Sequence, residues 1–302
     1  MPRYTLFALA ILVFSSGCIS LESSECVWDT TQARGLINNI TKYVETPPYT
    51  PVNFTTRVLH EKFYSSSLHD EKNYAVVLPP DYFSSISHYP VVYLLNGMCG
   101  NETSWLDKGD LLKNYDELLA TGSIHEMIIA MPDGDNSAYE NGCSGALYKS
   151  CGNYEDYIVK DFVAEIDAKF RTLPDRSHRA IGGLSNGAEG AMRLALLHSD
   201  VFSSVASHSG NYNGLLSGLS NATLDKIRSA GIHIYFDTGT HIIDSVLGFV
   251  ESNNKLDSIL TGKNIQHEFH AINNLSIAEM HDWSFWKTQI RVALQKQSAA
   301  IS

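Results

Sequence analysis

The chain has 302 residues, 44% hydrophobic and 18% charged, which suits one well-packed α/β domain and excludes a disordered or fibrous chain. Its 33 acidic and 22 basic side chains give a formal net charge of −11, and no run of Lys or Arg stands out. Nucleic acid is thereby excluded as a partner, because phosphate binding needs a basic face.

The N-terminus carries Arg3, an apolar run from Leu6 to Phe14, and then Ser15, Ser16 and Gly17 before Cys18. Such a run is too short to span a bilayer and reads as an export signal over residues 1–17. The Ser-Ser-Gly-Cys ending resembles a prokaryotic lipobox lacking its usual Leu. It leaves two expectations: a lipid anchor to the membrane through Cys18, or simple cleavage, with the protein secreted or at the cell surface. Pro47, Pro48 and Pro51 mark residues 18–54 as a linker, with a short helix around Thr31–Tyr43. The folded domain is expected over residues 55–298.

Cys26, Cys99, Cys143 and Cys151 remain, an even number in a chain leaving the reducing cytosol. Cys143 with Cys151 would close a short polar loop, leaving Cys26 and Cys99 as a second pair or as two thiols. Asn-x-Ser/Thr sequons stand at Asn39, Asn53, Asn101, Asn221 and Asn274, compatible with glycosylation of an exported protein.

From Arg57 onward, apolar β-branched runs alternate with amphipathic stretches, the pattern of a mostly parallel central sheet with helices on both faces. Strands are predicted near Val58–Phe63, Tyr74–Leu78, Val91–Leu95, Met127–Met131, Arg179–Gly183, Val201–Ala206, His233–Phe236 and His267–His270. Helices fall between them. Tyr154, Ile158, Phe162, Ile166 and Phe170 recur at i, i+4 and predict a helix with one buried stripe. Further helices are predicted over Asn186–His198, about Leu247–Thr261, and Trp283–Leu294.

Gly183-Leu184-Ser185-Asn186-Gly187 is a Gly-x-Ser-x-Gly pattern between a predicted strand and a predicted helix. A nucleophile elbow needs such a turn, because only glycine at the flanks lets strand and helix approach closely. Ser185 is therefore the candidate nucleophile, with the dipole of the following helix favouring negative charge above it. The strand Val91–Leu95 ends in a Gly-rich loop, Asn96 to Asn101, at a carboxyl edge where ligands gather. The backbone N–H groups of Asn186 and Met98 are the candidate oxyanion donors, each contributing about 3 kcal/mol to lowering the barrier.

A serine hydroxyl needs an imidazole to take its proton and a carboxylate to orient that imidazole. His281 follows the last strand and a polar loop, and is the candidate base; His267 and His270 lie on the strand and read as structural. Asp237 and Asp244 both follow the strand His233–Phe236, and Asp244, beyond the glycine turn, is preferred because a loop side chain can reach across. Asp133-Gly-Asp-Asn136 lacks the further ligands of a calcium loop and reads as a turn lining the substrate site. No cofactor and no metal is expected.

With these residues in place the chain resembles the esterase D / putative esterase family of α/β-hydrolases, which includes feruloyl esterases, acetyl esterases, S-formylglutathione hydrolases and mycolyltransferases. The resemblance covers about Tyr74 to Ile290. It rests on the runs beginning Tyr89-Pro-Val-Val-Tyr, Met131-Pro-Asp-Gly, Tyr154-Glu-Asp-Tyr, Arg179-Ala-Ile-Gly-Gly-Leu-Ser, Asp244-Ser-Val-Leu-Gly-Phe and His281-Asp-Trp-Ser-Phe-Trp. It implies Ser185, Asp244 and His281 as a triad with Met98 and Asn186 as oxyanion hole, acting on a small acyl or feruloyl, carbohydrate-linked ester. Acyl transfer to a sugar or other alcohol, and a non-catalytic surface binding protein on the same fold, are the alternatives. Three departures stand out: Asn96-Gly97 where members commonly have His-Gly, Asn186 where Met is frequent, and His241-Ile242-Ile243 lengthening the acid motif. Substrate choice is expected in the loop Ser137–Gly152 and around Trp105, with Tyr139, Tyr148 and Trp105 as aromatic surfaces.

Overall fold

In a computed structural model, which describes residues 57–143, 150–240, 242–273 and 281–302, the apolar runs pair into one eight-stranded sheet. The expected signal segment with Cys18, the expected linker, Cys26, Tyr148, His241 and the sequons at Asn39, Asn53 and Asn274 lie outside the described residues. The sequons at Asn101 and Asn221 are exposed.

The strands are β1 (Arg57–Ser65), β2 (Asp70–Leu78), β3 (Val91–Leu95), β4 (Ile128–Pro132), β7 (Arg179–Leu184), β8 (Ser204–His208), β9 (His233–Gly239) and β10 (Glu268–Ile272). Between β4 and β7 the short strands β5 (Asn141–Gly142) and β6 (Gly152–Asn153) form a separate antiparallel ladder, tied by the expected Cys143–Cys151 disulfide. The spatial order is β1-β2-β4-β3-β7-β8-β9-β10; β2 pairs antiparallel with both its neighbours, and every pairing from β4 to β10 is parallel. Alternate residues of each strand feed opposite faces. Val91, Tyr93 and Leu95 join the core beneath one helical layer, while Val92 and Leu94 join the other.

The helices are α1 (Ser104–Asp107), α2 (Leu111–Ala120), α3 (Tyr154–Asp156), α4 (Val163–Lys169), α5 (Asn186–Leu197), α6 (Asn213–Gly218), α7 (Asn221–Ala230), α8 (Ile242–Val246), α9 (Phe249–Gly262) and α10 (Trp283–Ile301). A π-turn, Tyr157–Phe162, joins α3 to α4, and the stripe from Tyr154 to Phe170 is buried as expected. Residues of α5, α7 and α9 pack in the Tyr93 layer, and those of α1, α2 and α10 in the Val92 layer.

Among the bounds that differ from the sequence reading, three have a plain local reason. β8 begins at Ser204 instead of Val201, because the Val201 and Phe202 N–H groups still bond to the His198 carbonyl. The helix expected from Leu247 begins at Phe249, since Gly248 adopts φ +79°, open to glycine and costly to other residues. The last helix runs past Leu294 to Ile301, because Gln297, Ser298 and Ile301 continue its buried face. Among the described residues no helix is long and apolar enough to cross a membrane.

Candidate active site

Ser185 stands between β7 and α5 with φ +52° and ψ −117°, a region that costs a non-glycine residue of order 1–3 kcal/mol. The surroundings impose it. A Cβ on Gly183 would come within 2.4 Å of the Gly187 carbonyl oxygen, and one on Gly187 within 2.5 Å of the Asn96 carbonyl oxygen. The glycine spacing thus permits α5 to start directly against the ends of β7 and β3. The Ser185 N–H donates to the His208 carbonyl at 2.8 Å, so the bend is also pinned to β8.

His281 Nε2 lies 2.8 Å from Ser185 Oγ, and His281 Nδ1 lies 3.0 Å from Asp244 Oδ1. With the proton on Nδ1, the imidazole donates to Asp244 and accepts from the serine hydroxyl. Asp244 is 1% exposed on the short helix α8, so its oxygens are shielded from competing water. The next residue after His281, Asp282, caps α10 by accepting the Ser284 N–H at 2.7 Å, which fixes where the chain enters that helix. Such a line can move a proton from hydroxyl to imidazole while the carboxylate stabilises the resulting cation.

The other carboxylate considered from sequence is engaged elsewhere. Asp237 is fully buried on β9, where its Oδ2 lies 2.9 Å from His208 Nδ1 and accepts the Tyr235 hydroxyl at 3.0 Å. Two groups about His281 escaped the sequence reading. Phe249, the first residue of α9, stacks on the imidazole at 4.4 Å, and Trp286 meets it edge-on at 4.9 Å. Both residues close runs already noted, Asp244-Ser-Val-Leu-Gly-Phe and His281-Asp-Trp-Ser-Phe-Trp, but their packing on the imidazole is a contact that neither run records by itself.

The Asn96–Asn101 loop passes beside the nucleophile: a Cβ on Gly97 would come within 3.4 Å of Ser185 Cβ. Among the described residues, neither the Met98 nor the Asn186 N–H donates to a protein acceptor. Backbone donors left open beside a hydroxyl can receive a developing oxyanion.

Four side chains expected around the substrate are engaged within the protein: Trp105, Tyr139, Asp133 and Asp135. Trp105 is 1% exposed, its indole N–H donating to the Leu95 carbonyl at 3.1 Å, and its ring meets Trp283 edge-on. Tyr139 is fully buried at φ +53°, its ring filling the space beside Gly134 and Gly190. Both hold the chain where β3 runs into the Asn96–Asn101 loop, Trp105 through Leu95 and Tyr139 through Asn96. The carboxylates of Asp133 and Asp135 face the buried ammonium of Lys72, at 3.9 Å and 2.6 Å. Burial pushes the Asp133 carboxyl above its ordinary range, with Lys72 pulling the other way.

Comparison with known proteins matches this geometry to a family. The sequence model described as "Putative esterase" matches residues 65–296. A xylanase/feruloyl esterase of Xylanibacter ruminicola is 31% identical over 160 residues, covering 52% of this chain and 21% of that protein. An esterase of Mycobacterium tuberculosis is 33% identical over 155 residues, covering 51% of this chain and 32% of that protein. The chain thus spans a third or less of the length of these curated relatives. Among solved structures, a ferulic acid esterase superposes with a TM-score of 0.69 at 24% identity, covering 83% of this chain and 100% of that one. A ferulic acid esterase of Anaeromyces mucronatus, in complex with ferulic acid, gives 0.68 at 22%, covering 84% and 95%. An S-formylglutathione hydrolase of Staphylococcus aureus gives 0.63 at 19%, covering 80% and 99%. With a family match across most of its length and this sheet order, the chain belongs to the putative esterase family and has the α/β-hydrolase fold.

Proposed function

We propose that the protein is a serine carboxylic-ester hydrolase. Ser185 Oγ attacks the ester carbonyl carbon as His281 Nε2 takes its proton, and Asp244 holds the imidazolium through Nδ1–H. The carbonyl oxygen, now an oxyanion, is received by the Met98 and Asn186 N–H groups. Collapse breaks the ester C–O bond, His281 returns the proton to the departing alkoxide, and an acyl-serine remains. Water, deprotonated by His281, attacks the acyl carbon, and the acid leaves as Ser185 regains its proton.

The observation that carries this reading is the unbroken hydrogen-bonded line Ser185–His281–Asp244, drawn from three distant parts of the sequence. The substrate class we propose is a small acyl or feruloyl ester of a carbohydrate, supported by relatives named feruloyl esterase. The test is a panel of p-nitrophenyl acyl and feruloyl esters assayed with the wild-type chain and with Ser185→Ala. Loss of about 10⁴-fold or more in kcat is expected for the variant. Equal rates for the two proteins would exclude the mechanism.

A further inference from the structure

The segment between β4 and β5 touches both flanks of Ser185. On the Met98 flank, Asn136 Oδ1 accepts the Cys99 N–H at 2.6 Å, and Gly134 donates its N–H to Asn96 Oδ1 at 3.1 Å. The Tyr139 hydroxyl lies 2.9 Å from the Asn96 carbonyl oxygen and 3.0 Å from its Oδ1. On the other flank, the Asn186 side-chain amide donates to the Ser137 carbonyl, and the Tyr139 ring rests against Gly190 of α5. The segment is stiffened from within by Ser137 Oγ donating to the Gly134 carbonyl at 2.7 Å. Its base is clamped by Lys72 on Asp135 at 2.6 Å.

The bonds around Met98 fix a direction. The Gly97 carbonyl and the Met98 N–H belong to one planar trans peptide and point opposite ways. Asn96 Nδ2 donates to that Gly97 carbonyl at 3.0 Å, and the Gly100 N–H donates to it at 3.0 Å as well. The following peptide is held through the Cys99 N–H by Asn136. Both peptide planes that meet at Met98 are therefore set by asparagine side chains.

Resting on the proposed mechanism, we infer that Asn96 and Asn136 are positioning residues that aim the Met98 N–H at the oxyanion. The segment from Asp133 to Tyr139 is the brace that holds this donor at a fixed span from the Asn186 N–H. Two of the departures from the family pattern acquire a joint explanation, since Asn96 and Asn186 each hold this brace by a side-chain amide or its oxygen. The stabilisation reaches the oxyanion only, so the brace acts on the transition state and leaves ester binding alone.

The experiment compares the wild-type chain with Asn136→Leu, which removes the acceptor, and Asn136→Asp, which keeps an oxygen in its place. Rates on p-nitrophenyl acetate are expressed per active site, counted by fluorophosphonate labelling, beside thermal melts and inhibition by a trifluoromethyl ketone, whose serine adduct bears an oxyanion. For Asn136→Leu, kcat and ketone affinity should fall together by roughly 10- to 100-fold, with KM and melting temperature near wild type. Asn136→Asp should recover part of both. Unchanged kcat and ketone affinity in Asn136→Leu would overturn the inference. So would losses matched by an equal rise in KM, or an Asp variant no better than Leu. Ser185→Ala, run alongside, separates the two levels: if it is inactive while Asn136→Leu is unaffected, the brace alone falls, and if it is active, the mechanism falls with it.

Discussion

Asp237, on β9, and Asp244, beyond it, lie seven positions apart, and single side chains decide between them. Each sits beside a different histidine: His208 for Asp237, His281 for Asp244. Asp244→Asn should lower kcat by about 10⁴-fold, because an amide cannot stabilise the imidazolium and favours the wrong tautomer, while the melting temperature stays close to wild type. Asp237→Ala should do the reverse. It strands the buried Tyr235 hydroxyl and His208 Nδ1–H, at about 1–3 kcal/mol for each group left unpaired, while kcat per titrated active site stays within roughly tenfold. Thermal melts and kcat for both variants decide the matter, and exchanged outcomes would make Asp237 the acid. At this scale Ser185 was legible because glycines at fixed offsets declare a close approach of backbones. The fate of Asp237 was not, since its partner is set by the register His208↔Asp237 between β8 and β9, which no single stretch of sequence records.

Elements were legible where their period was strong, and their irregularities lie where the period was imperfect. Tyr154, Ile158, Phe162, Ile166 and Phe170 repeat strictly every four residues, yet each such step advances an α-helix roughly 40° beyond alignment. A uniform helix would turn the stripe away from the sheet, and the π-turn at Tyr157–Phe162 widens the winding where the correction is needed. The loop after β4 gave the opposite lesson: its acidic spelling was readable, but the Lys72 that its carboxylates face comes from β2, more than sixty positions earlier. A pH effect follows from that contact. Burial raises the Asp133 carboxyl from the usual 3.8, so the native state binds this proton more tightly than the unfolded chain. The stability contribution is full below the unfolded value and is lost as pH rises through the native one. Asp133→Asn removes the titration while its amide oxygen can still accept the Asp135 N–H. Its melting temperature relative to wild type should climb as pH is raised from about 3.5 to about 7; a difference that stays flat or shrinks would contradict the assignment.

For the molecule as a whole, a mostly parallel sheet between two helical layers was readable from the alternation of apolar runs with amphipathic stretches. The antiparallel placement of β2 was hidden, because its inner part is buried on both faces and reads like any central parallel strand. The sheet gathers the candidate groups at one edge: Ser185 follows β7, Met98 follows β3, Asp244 follows β9 and His281 follows β10. That is the edge where α/β sheets assemble ligand sites. The contact between Trp286 and His281 at that edge has an optical consequence. An imidazole packed against an indole alters the emission of that ring. His281→Ala should therefore shift Trp286 fluorescence, and the shift should vanish in a Trp286→Phe background; a shift that survives there would assign the signal to another residue. The proposed general base thus sits beside a built-in optical probe, readable in the absence of any substrate.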